Sequence, residues 1–238
     1  MKRFLVILML AIAASAPSLG NERNRQGVSD TPEPVSFPTR DGGLVYADLY
    51  GDGDRGVVLA HGGRFNKESW EKQARMLAKA GFRVLAIDFR GRGRSRGGRW
   101  TQPGDDGARF DVLAAIRYLH ETGASSVSVV GASYGGGAAA EASIETKPDE
   151  IDRLVLVAHA PIEEPERMQG RKLFIVSRDD ASGDARIPRL PKIRDQYERA
   201  PEPKELVILE GSAHAQFIFE TEQGERLMQE ILGCLSEP

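Results

Sequence analysis

Short apolar runs alternate with longer segments of helical spacing along most of this 238-residue chain. The runs are rich in Val, Ile and Leu and do not alternate with polar residues, which is typical of strands covered on both faces. Strands separated by helices predict an α/β fold, with a mostly parallel, twisted sheet and helices on both faces. The predicted strands are Leu44–Tyr50, Gly56–Ala60, Arg83–Phe89, Ser126–Val130, Arg153–Ala158, Lys172–Ser177 and Glu205–Glu210. The predicted helices are Lys67–Ala80, Gly107–Thr122, Tyr134–Glu145, Leu190–Arg199 and Thr221–Leu232.

The N-terminus has the features of a secretory signal peptide. Lys2 and Arg3 precede an apolar run over residues 4–14, and small residues follow that run. The run is shorter than the roughly 20 residues that a membrane-spanning helix needs, so an uncleaved anchor is the less favoured alternative. We expect a signal peptide over residues 1–16, a flexible polar leader over 17–34 and one domain over 35–238. On this interpretation the protein is secreted or periplasmic and is not stably inserted in a membrane.

The composition does not point to nucleic acid or an acidic membrane as a partner. The formal net charge is −3, and nothing in it calls for nucleic acid or an acidic membrane. Cys234 is the single cysteine of the chain, so one chain can form neither an internal disulfide nor a cysteine-based metal site. We expect Cys234 to behave as a buried small hydrophobic residue. The oligomeric state stays open.

One predicted strand runs directly into a serine flanked by glycines. Ser126–Val130 is followed by Gly131-Ala132-Ser133-Tyr134-Gly135, which has the form G-x-S-x-G, and then by a helix of small residues. This strand–turn–helix setting is the one that a nucleophile elbow requires, and it predicts that Ser133 is a nucleophile. The alternative is a glycine-rich turn before a closely packed helix.

A serine hydroxyl is a weak nucleophile and needs a base that a third group orients. His214 follows the last predicted strand, in a loop at its carboxyl end, where functional residues collect in open α/β sheets. We therefore expect His214 to be the base. His120 lies in a predicted helix, His159 is expected to be structural, and His61 belongs to a separate motif.

The residue that orients the base should follow another strand, between the nucleophile and the base. The predicted strand Lys172–Ser177 is followed by two adjacent candidates, Asp179 and Asp180. Asp180 is preferred, and Asp179 would then face solvent or pair with Arg178. More distant alternatives after the preceding strand are Glu163 and Glu164.

With these motifs, the chain from about Val35 onward resembles the α/β-hydrolase family. The order Ser133, Asp180, His214 is the family's triad order. Residues 57–63 look like the family's strand with its H-G motif, and residues 88–95 look like its D-x-R-G-x-G-x-S loop. In the family the aspartate usually comes some residues after its strand, and this offset favours Asp180.

The resemblance implies an oxyanion hole made by two backbone N–H groups. One belongs to Tyr134, and the other comes from the His61–Arg64 loop, in which Gly63 is the expected donor. No metal and no organic cofactor is implied, because the triad is self-sufficient. Many members insert a lid of several helices after the sixth strand, whereas only residues 161–171 separate the corresponding predicted strands here. We therefore expect an open site.

Five arginines alternate with glycines after the third predicted strand. They are Arg90, Arg92, Arg94, Arg96 and Arg99. Read alone, the segment resembles an RGG-type nucleic-acid element, but it lies inside a predicted folded domain and begins in the family's loop motif. We expect a tight glycine loop with solvated arginines. Attraction of an anionic substrate is the alternative, and Arg64 would contribute to it.

Together these residues predict a serine hydrolase that cleaves carboxylic-ester-type bonds of a small acyl substrate through an acyl-enzyme. A peptidase, an amidase or a thioesterase would use the same residues, because the scissile bond depends on the pocket and on protonation of the leaving group. A non-catalytic binding protein on the same fold is the alternative from a different class, since a fold does not fix a function.

Overall fold

The structure is a computed structural model that describes residues 31–98, 107–181 and 187–237. The strands are β1 (Glu33–Pro38), β2 (Gly43–Tyr50), β3 (Arg55–Ala60), β4 (Phe82–Ile87), β5 (Arg96–Gly97), β6 (Ser126–Ala132), β7 (Arg153–Val157), β8 (Arg171–Ser177) and β9 (Lys204–Leu209). The helices are α1 (Glu71–Lys79), α2 (Ala108–Glu121), α3 (Tyr134–Glu145), α4 (Leu190–Arg199) and α5 (Gly224–Ser236). Short 3₁₀ turns span Lys67–Trp70, Pro165–Arg167 and Ala215–Glu220.

The strands described form one twisted, mostly parallel sheet in the order β1-β2-β4-β3-β6-β7-β8-β9, and β5 pairs with β2. The run from β4 through β9 is parallel, while β2 is antiparallel to its neighbours β1 and β4. Every residue of β7 is buried, as expected for a strand that is covered on both faces. This architecture confirms the predicted α/β fold.

The parallel register decides which loops meet. Because β3, β6, β8 and β9 run in the same direction, the loops at their carboxyl ends lie along one edge of the sheet. Open α/β sheets bind their ligands at this edge. The connection between β7 and β8 carries a single 3₁₀ turn, in line with the absence of a large lid after this strand.

All seven predicted strands and five predicted helices are present, with shifts of a few residues at their ends. The last helix differs most, since it was expected over Thr221–Leu232 and spans Gly224–Ser236. The helix expected from Lys67 opens as a 3₁₀ turn before α1 begins.

Sequence reasoning missed the edge strand β1 and the short β5. β1 begins at Glu33, two residues inside the expected leader, and carries Pro34 and Pro38. Proline cannot donate a hydrogen bond to a neighbouring strand, so its presence argues against a strand prediction. An edge strand nevertheless tolerates proline. The expected signal peptide and most of the leader lie outside the described residues. Within the part described, none of the helices combines the length and apolar composition needed to cross a membrane.

Arg90, expected to be solvated, is instead a buried anchor. Its guanidinium binds Asp41 with Nη1 at 2.6 Å and Asp111 with Nη2 at 2.7 Å, and the Arg90 side chain is 6% exposed. The expectation was wrong because two carboxylates surround Arg90, that of Asp41 in the β1–β2 turn and that of Asp111 in α2. The sequence around Arg90 does not show that these residues lie beside it. Arg94 and Arg96 are exposed and lie over Tyr46, and Arg99 lies outside the described residues.

Cys234 is half-buried against the core, close to expectation. Burial raises the pKa of its thiol to about 11. The thiolate, which is the reactive form, is therefore scarce at neutral pH.

Replacement of Arg90 by methionine should destabilise the domain, because two buried carboxylates would lose their cation. Breaking a buried pair of this kind costs about 3–5 kcal/mol in free energy of unfolding. The control is Arg75→Met, which removes an exposed pair with Glu71 and should cost less than about 1 kcal/mol. Urea unfolding followed by circular dichroism measures both, and equal midpoints for the two variants would contradict the anchoring role.

Candidate active site

Ser133 lies between β6 and α3 in a strained backbone conformation, with φ 50° and ψ −113°. A non-glycine residue reaches this region only when its surroundings hold it there. The N–H of Ser133 donates to Val157 O at 2.9 Å, and Ser133 O accepts from Ala160 N at 2.9 Å. The chain around β7 therefore fixes the turn that presents Ser133.

The glycines on both sides of Ser133 are required by close backbone packing. A Cβ atom at Gly131 would lie 2.5 Å from the carbonyl oxygen of Gly135. A Cβ atom at Gly135 would collide with the carbonyl groups of Ala60 and His61, at the end of β3. The G-x-S-x-G pattern thus reflects the tight strand-to-helix turn that the sequence predicted.

The structure brings Ser133, His214 and Asp180 into one chain of hydrogen bonds. His214 Nε2 lies 2.8 Å from Ser133 Oγ, and His214 Nδ1 lies 2.7 Å from Asp180 Oδ2. The side chain of Asp180 is fully buried and that of His214 is 20% exposed. A buried carboxylate that accepts from Nδ1–H leaves Nε2 as the acceptor for the serine proton.

Of the two adjacent aspartates, Asp180 contacts His214 and Asp179 is exposed. Arg178, which could have paired with Asp179, instead pairs with Glu210 at 2.8 Å. Glu163 and Glu164, the distant alternatives, are exposed residues in the β7–β8 connection.

Two hydrogen bonds tie the loop that carries Asp180 to the loop that carries His214. Ser177 Oγ donates to Ala213 O at 2.7 Å, and the N–H of Asp179 donates to Gly211 O at 3.0 Å. These contacts extend the pairing of β8 with β9 past the ends of the strands, so the short distance from Asp180 to His214 follows from sheet register.

Arg189 is a contact of Asp180 that sequence reasoning missed. Its Nε lies 3.5 Å from Asp180 Oδ2, and its backbone N–H donates to Asp180 O at 2.7 Å. A cation beside a buried carboxylate favours the ionised form of that carboxylate. No sequence motif marks Arg189, which stands just before α4.

Gly63 lies next to Tyr134, as an oxyanion hole would require. A Cβ atom placed on Gly63 would be 3.6 Å from Tyr134 Cβ. The carbonyl oxygen of Gly62 lies 2.8 Å from His61 Nδ1 and accepts from Phe65 N at 2.9 Å. Because the peptide between Gly62 and Gly63 is planar and trans, the Gly63 N–H points away from those two donors.

His61 is neutral and structural. The N–H of Phe89 donates to His61 Nε2 at 3.3 Å, which leaves the proton on Nδ1 for Gly62 O. Burial lowers the pKa of His61 and keeps the ring uncharged. His61 therefore orients the loop that carries Gly63.

A cleft of about 650 Å³ opens beside Ser133 and His214. Gly63, Arg64 and Tyr134 line it near Ser133. Its apolar wall includes Phe65 and Phe217, whose ring centroids are 5.0 Å apart. This volume suits a small ligand. A groove of about 770 Å³ at the amino ends of β6, β7 and β8 is larger, but it is remote from Ser133.

The model of the alpha/beta hydrolase fold family matches residues 56–225, which include Ser133, Asp180 and His214. The chain belongs to the α/β-hydrolase family. The match confirms the resemblance that the motifs had indicated.

The similar proteins match only part of this α/β hydrolase. The chain is 34% identical over 124 residues to a bifunctional esterase/perhydrolase of Acinetobacter calcoaceticus, covering 52% of this chain and 44% of that protein. It is 32% identical over 128 residues to a non-heme chloroperoxidase of Streptomyces lividans, covering 52% of this chain and 44% of that protein. The chain thus spans less than half the length of these relatives.

Solved structures show the same fold. A protein from Thermoplasma acidophilum, described as a predicted CIB-like hydrolase, superposes with a TM-score of 0.68 at 24% identity, covering 87% of this chain and 98% of that chain. An esterase from Pyrococcus furiosus superposes with a TM-score of 0.66 at 21% identity, covering 85% of this chain and 90% of that chain.

Gln216 links the His214 loop of this α/β hydrolase to its Gly62–Gly63 loop, and sequence reasoning missed it. Its Oε1 accepts from the N–H of Gly62 at 2.7 Å, and its Nε2 donates to Ser69 Oγ at 2.8 Å. The Gln216 side chain is buried. Its position two residues after His214 lets one amide hold the loop opposite Ser133.

The two remaining histidines have structural surroundings, in agreement with the sequence interpretation. His159 is fully buried against Phe174, and burial lowers its pKa to about 4. His120 lies on α2, with its ring nitrogens 3.3 Å and 3.1 Å from the carbonyl oxygens of Ala124 and Glu150.

Asp180→Asn should lower kcat for an activated ester about 10⁴-fold, because an amide would hold His214 in the wrong tautomer. The matched control is Asp179→Asn, one residue away and exposed, which should change kcat by less than about twofold. Steady-state release of 4-nitrophenol from 4-nitrophenyl acetate measures both. Equal losses in the two variants would mean that Asp180 is not the acid.

Gln216→Leu should lower kcat by about 10- to 100-fold with little change in KM, because the Gly62–Gly63 loop would lose its side-chain partner. The matched control is Gln196→Leu, another buried glutamine, whose amide bonds the backbone of Ile162. Each variant should lose about 1–3 kcal/mol of stability, while only Gln216→Leu should lower kcat beyond what its stability loss explains. The same kinetic assay, paired with thermal melting, separates the two effects. An unchanged kcat in Gln216→Leu would contradict the link.

Proposed function

We propose that this α/β hydrolase is a serine hydrolase that cleaves carboxylic-ester-type bonds through an acyl-enzyme. The observation that carries the proposal is the continuous hydrogen-bond chain from Ser133 through His214 to Asp180. It lies at the wall of a cleft large enough for a small acyl substrate. A serine whose base is itself oriented by a buried carboxylate is the arrangement that activates the hydroxyl.

In the first step His214 Nε2 takes the proton of Ser133 Oγ as that oxygen attacks the acyl carbonyl carbon. The negative charge that develops on the carbonyl oxygen would be bound by the N–H groups of Tyr134 and Gly63. Preorganised donors of this kind act in the transition state, and losing one costs on the order of 3 kcal/mol in comparable enzymes. His214 then passes its proton to the leaving alcohol, and the bond between carbon and the alcohol oxygen breaks.

In the second step water attacks the acyl-enzyme. His214 takes a proton from that water, the hydroxide adds to the acyl carbon, and Ser133 Oγ leaves with the proton returned by His214. Asp180 keeps its charge throughout and stabilises the imidazolium that forms twice in each cycle. Arg189, beside Asp180, favours that ionised state.

Ester cleavage is favoured over the other acyl transfers by the names of two similar proteins. The Acinetobacter relative is named an esterase/perhydrolase, and the Pyrococcus furiosus structure is that of an esterase. An amide or a thioester would react at the same three residues. The substrate test below therefore decides which of these bonds the protein cleaves.

Active-site labelling tests the proposal directly. A fluorophosphonate probe should label the Ser133 peptide in the wild-type protein, and Ser133→Ala should lose both the label and at least about 10⁴-fold in kcat. The matched control is Ser125→Ala, an exposed serine at the amino end of β6, which should keep both.

A substrate panel then identifies the bond. Short-chain 4-nitrophenyl esters should be turned over faster than the matching thioesters and aminoacyl anilides. Faster cleavage of the anilides would replace the esterase proposal by an amidase. A folded protein that takes no label would favour a binding protein.

A further inference from the structure

The cleft beside Ser133 carries positive charge. Two arginines, Arg64 and Arg189, line it, and the described lining residues include no aspartate or glutamate. A cleft lined by charge of one sign raises the local concentration of ligands of the opposite sign. The charge of the cleft therefore bears on which acyl substrates reach Ser133.

The two arginines differ in whether a carboxylate of the protein neutralises their charge. Arg189 lies 3.5 Å from the buried carboxylate of Asp180 and donates to His159 O at 3.2 Å, so much of its charge is balanced inside the protein. Arg64 is exposed, and it forms no ion pair with any carboxylate among the described residues. Of the two guanidinium groups that line the cleft, that of Arg64 is therefore the one available to bind a ligand.

Arg64 also has a suitable position. It directly follows Gly63, the expected oxyanion donor, and precedes Phe65 in the apolar wall. The side chain of Arg92 adds a second cation on this side, because its Nη2 donates to the carbonyl oxygen of Gly63. A substrate chain that runs from Ser133 along Phe65 would place a distal group beside Arg64.

We propose that the cleft selects esters that carry a carboxylate several bonds from the scissile carbonyl, and that Arg64 binds this carboxylate. The inference rests on the proposed esterase function and names its substrate class. A guanidinium matches a carboxylate with two parallel N–H···O bonds, which an ammonium group does not reproduce.

The test compares two aryl esters of equal chain length, mono-4-nitrophenyl adipate and its methyl ester, which lacks the negative charge. Wild type should prefer the anionic ester, measured as the ratio of the two kcat/KM values. In Arg64→Gln this ratio should fall about three- to tenfold, mainly through KM, because the lost contact binds ground state and transition state alike. Arg64→Lys should restore part of the ratio, and Arg64→Glu should lower it further.

The control is Arg171→Gln, which makes the same change of charge at the amino end of β8, on the opposite edge of the sheet. It should leave the ratio unchanged. Raising the salt concentration to about 0.5 M should lower the ratio in wild type but not in Arg64→Gln, since salt screens exposed charges.

The outcomes distinguish this inference from the function on which it rests. A ratio that Arg64→Gln leaves unchanged, while both esters are cleaved, overturns the role of Arg64 and leaves the esterase intact. If wild type cleaves neither ester, the esterase proposal fails and the inference falls with it.

Discussion

The backbone at Ser133 is the constraint on which the rest of the site depends. A residue at φ 50° in a non-glycine position is unfavourable alone, so the neighbouring strands must hold it. Val157 and Ala160 provide the hydrogen bonds, and Gly131 and Gly135 allow the backbones to approach. The strain is offset by the packing of β6 against β3 and β7, which lie at the centre of the sheet. Ser133 is thus positioned by the most buried part of the fold.

The other parts of the site are held relative to this turn by side chains and sheet register. Pairing of β8 with β9 places Asp180 beside His214, and two hydrogen bonds beyond the strands keep their loops together. Gln216 connects the same loop to Gly62. On the proposed function, a displacement of one loop would therefore disturb both proton transfer and oxyanion binding. Catalytic geometry is then sensitive to residues that never touch the substrate.

Arginine plays three different roles here, and burial decides which. Arg90 is enclosed with two carboxylates and acts as a structural anchor. Arg189 is partly buried and balances Asp180. Arg64 is exposed at the cleft, where its charge faces solvent and, on our proposal, a substrate carboxylate. An exposed arginine such as Arg64 would add little to the stability of the fold even if it formed an ion pair, because exposed ion pairs contribute about 0–1 kcal/mol.

The sequence by itself determined the fold class, the tight turn at Ser133 and the choice of His214 as the histidine that contacts it. These depend on local signals, namely apolar periodicity, glycines at a tight turn, and residues that follow strands. Only the tertiary structure shows which of Asp179 and Asp180 contacts His214. The two residues are identical and adjacent, and they differ only in the direction that each side chain takes after β8. It also revealed Gln216, whose partner Gly62 is 154 residues away, and Arg189, which no motif marks. It showed that Arg90 is buried, although the alternating arginines and glycines had suggested that it would be solvated. Contacts between segments far apart in sequence arise from register and packing, and no local pattern encodes them.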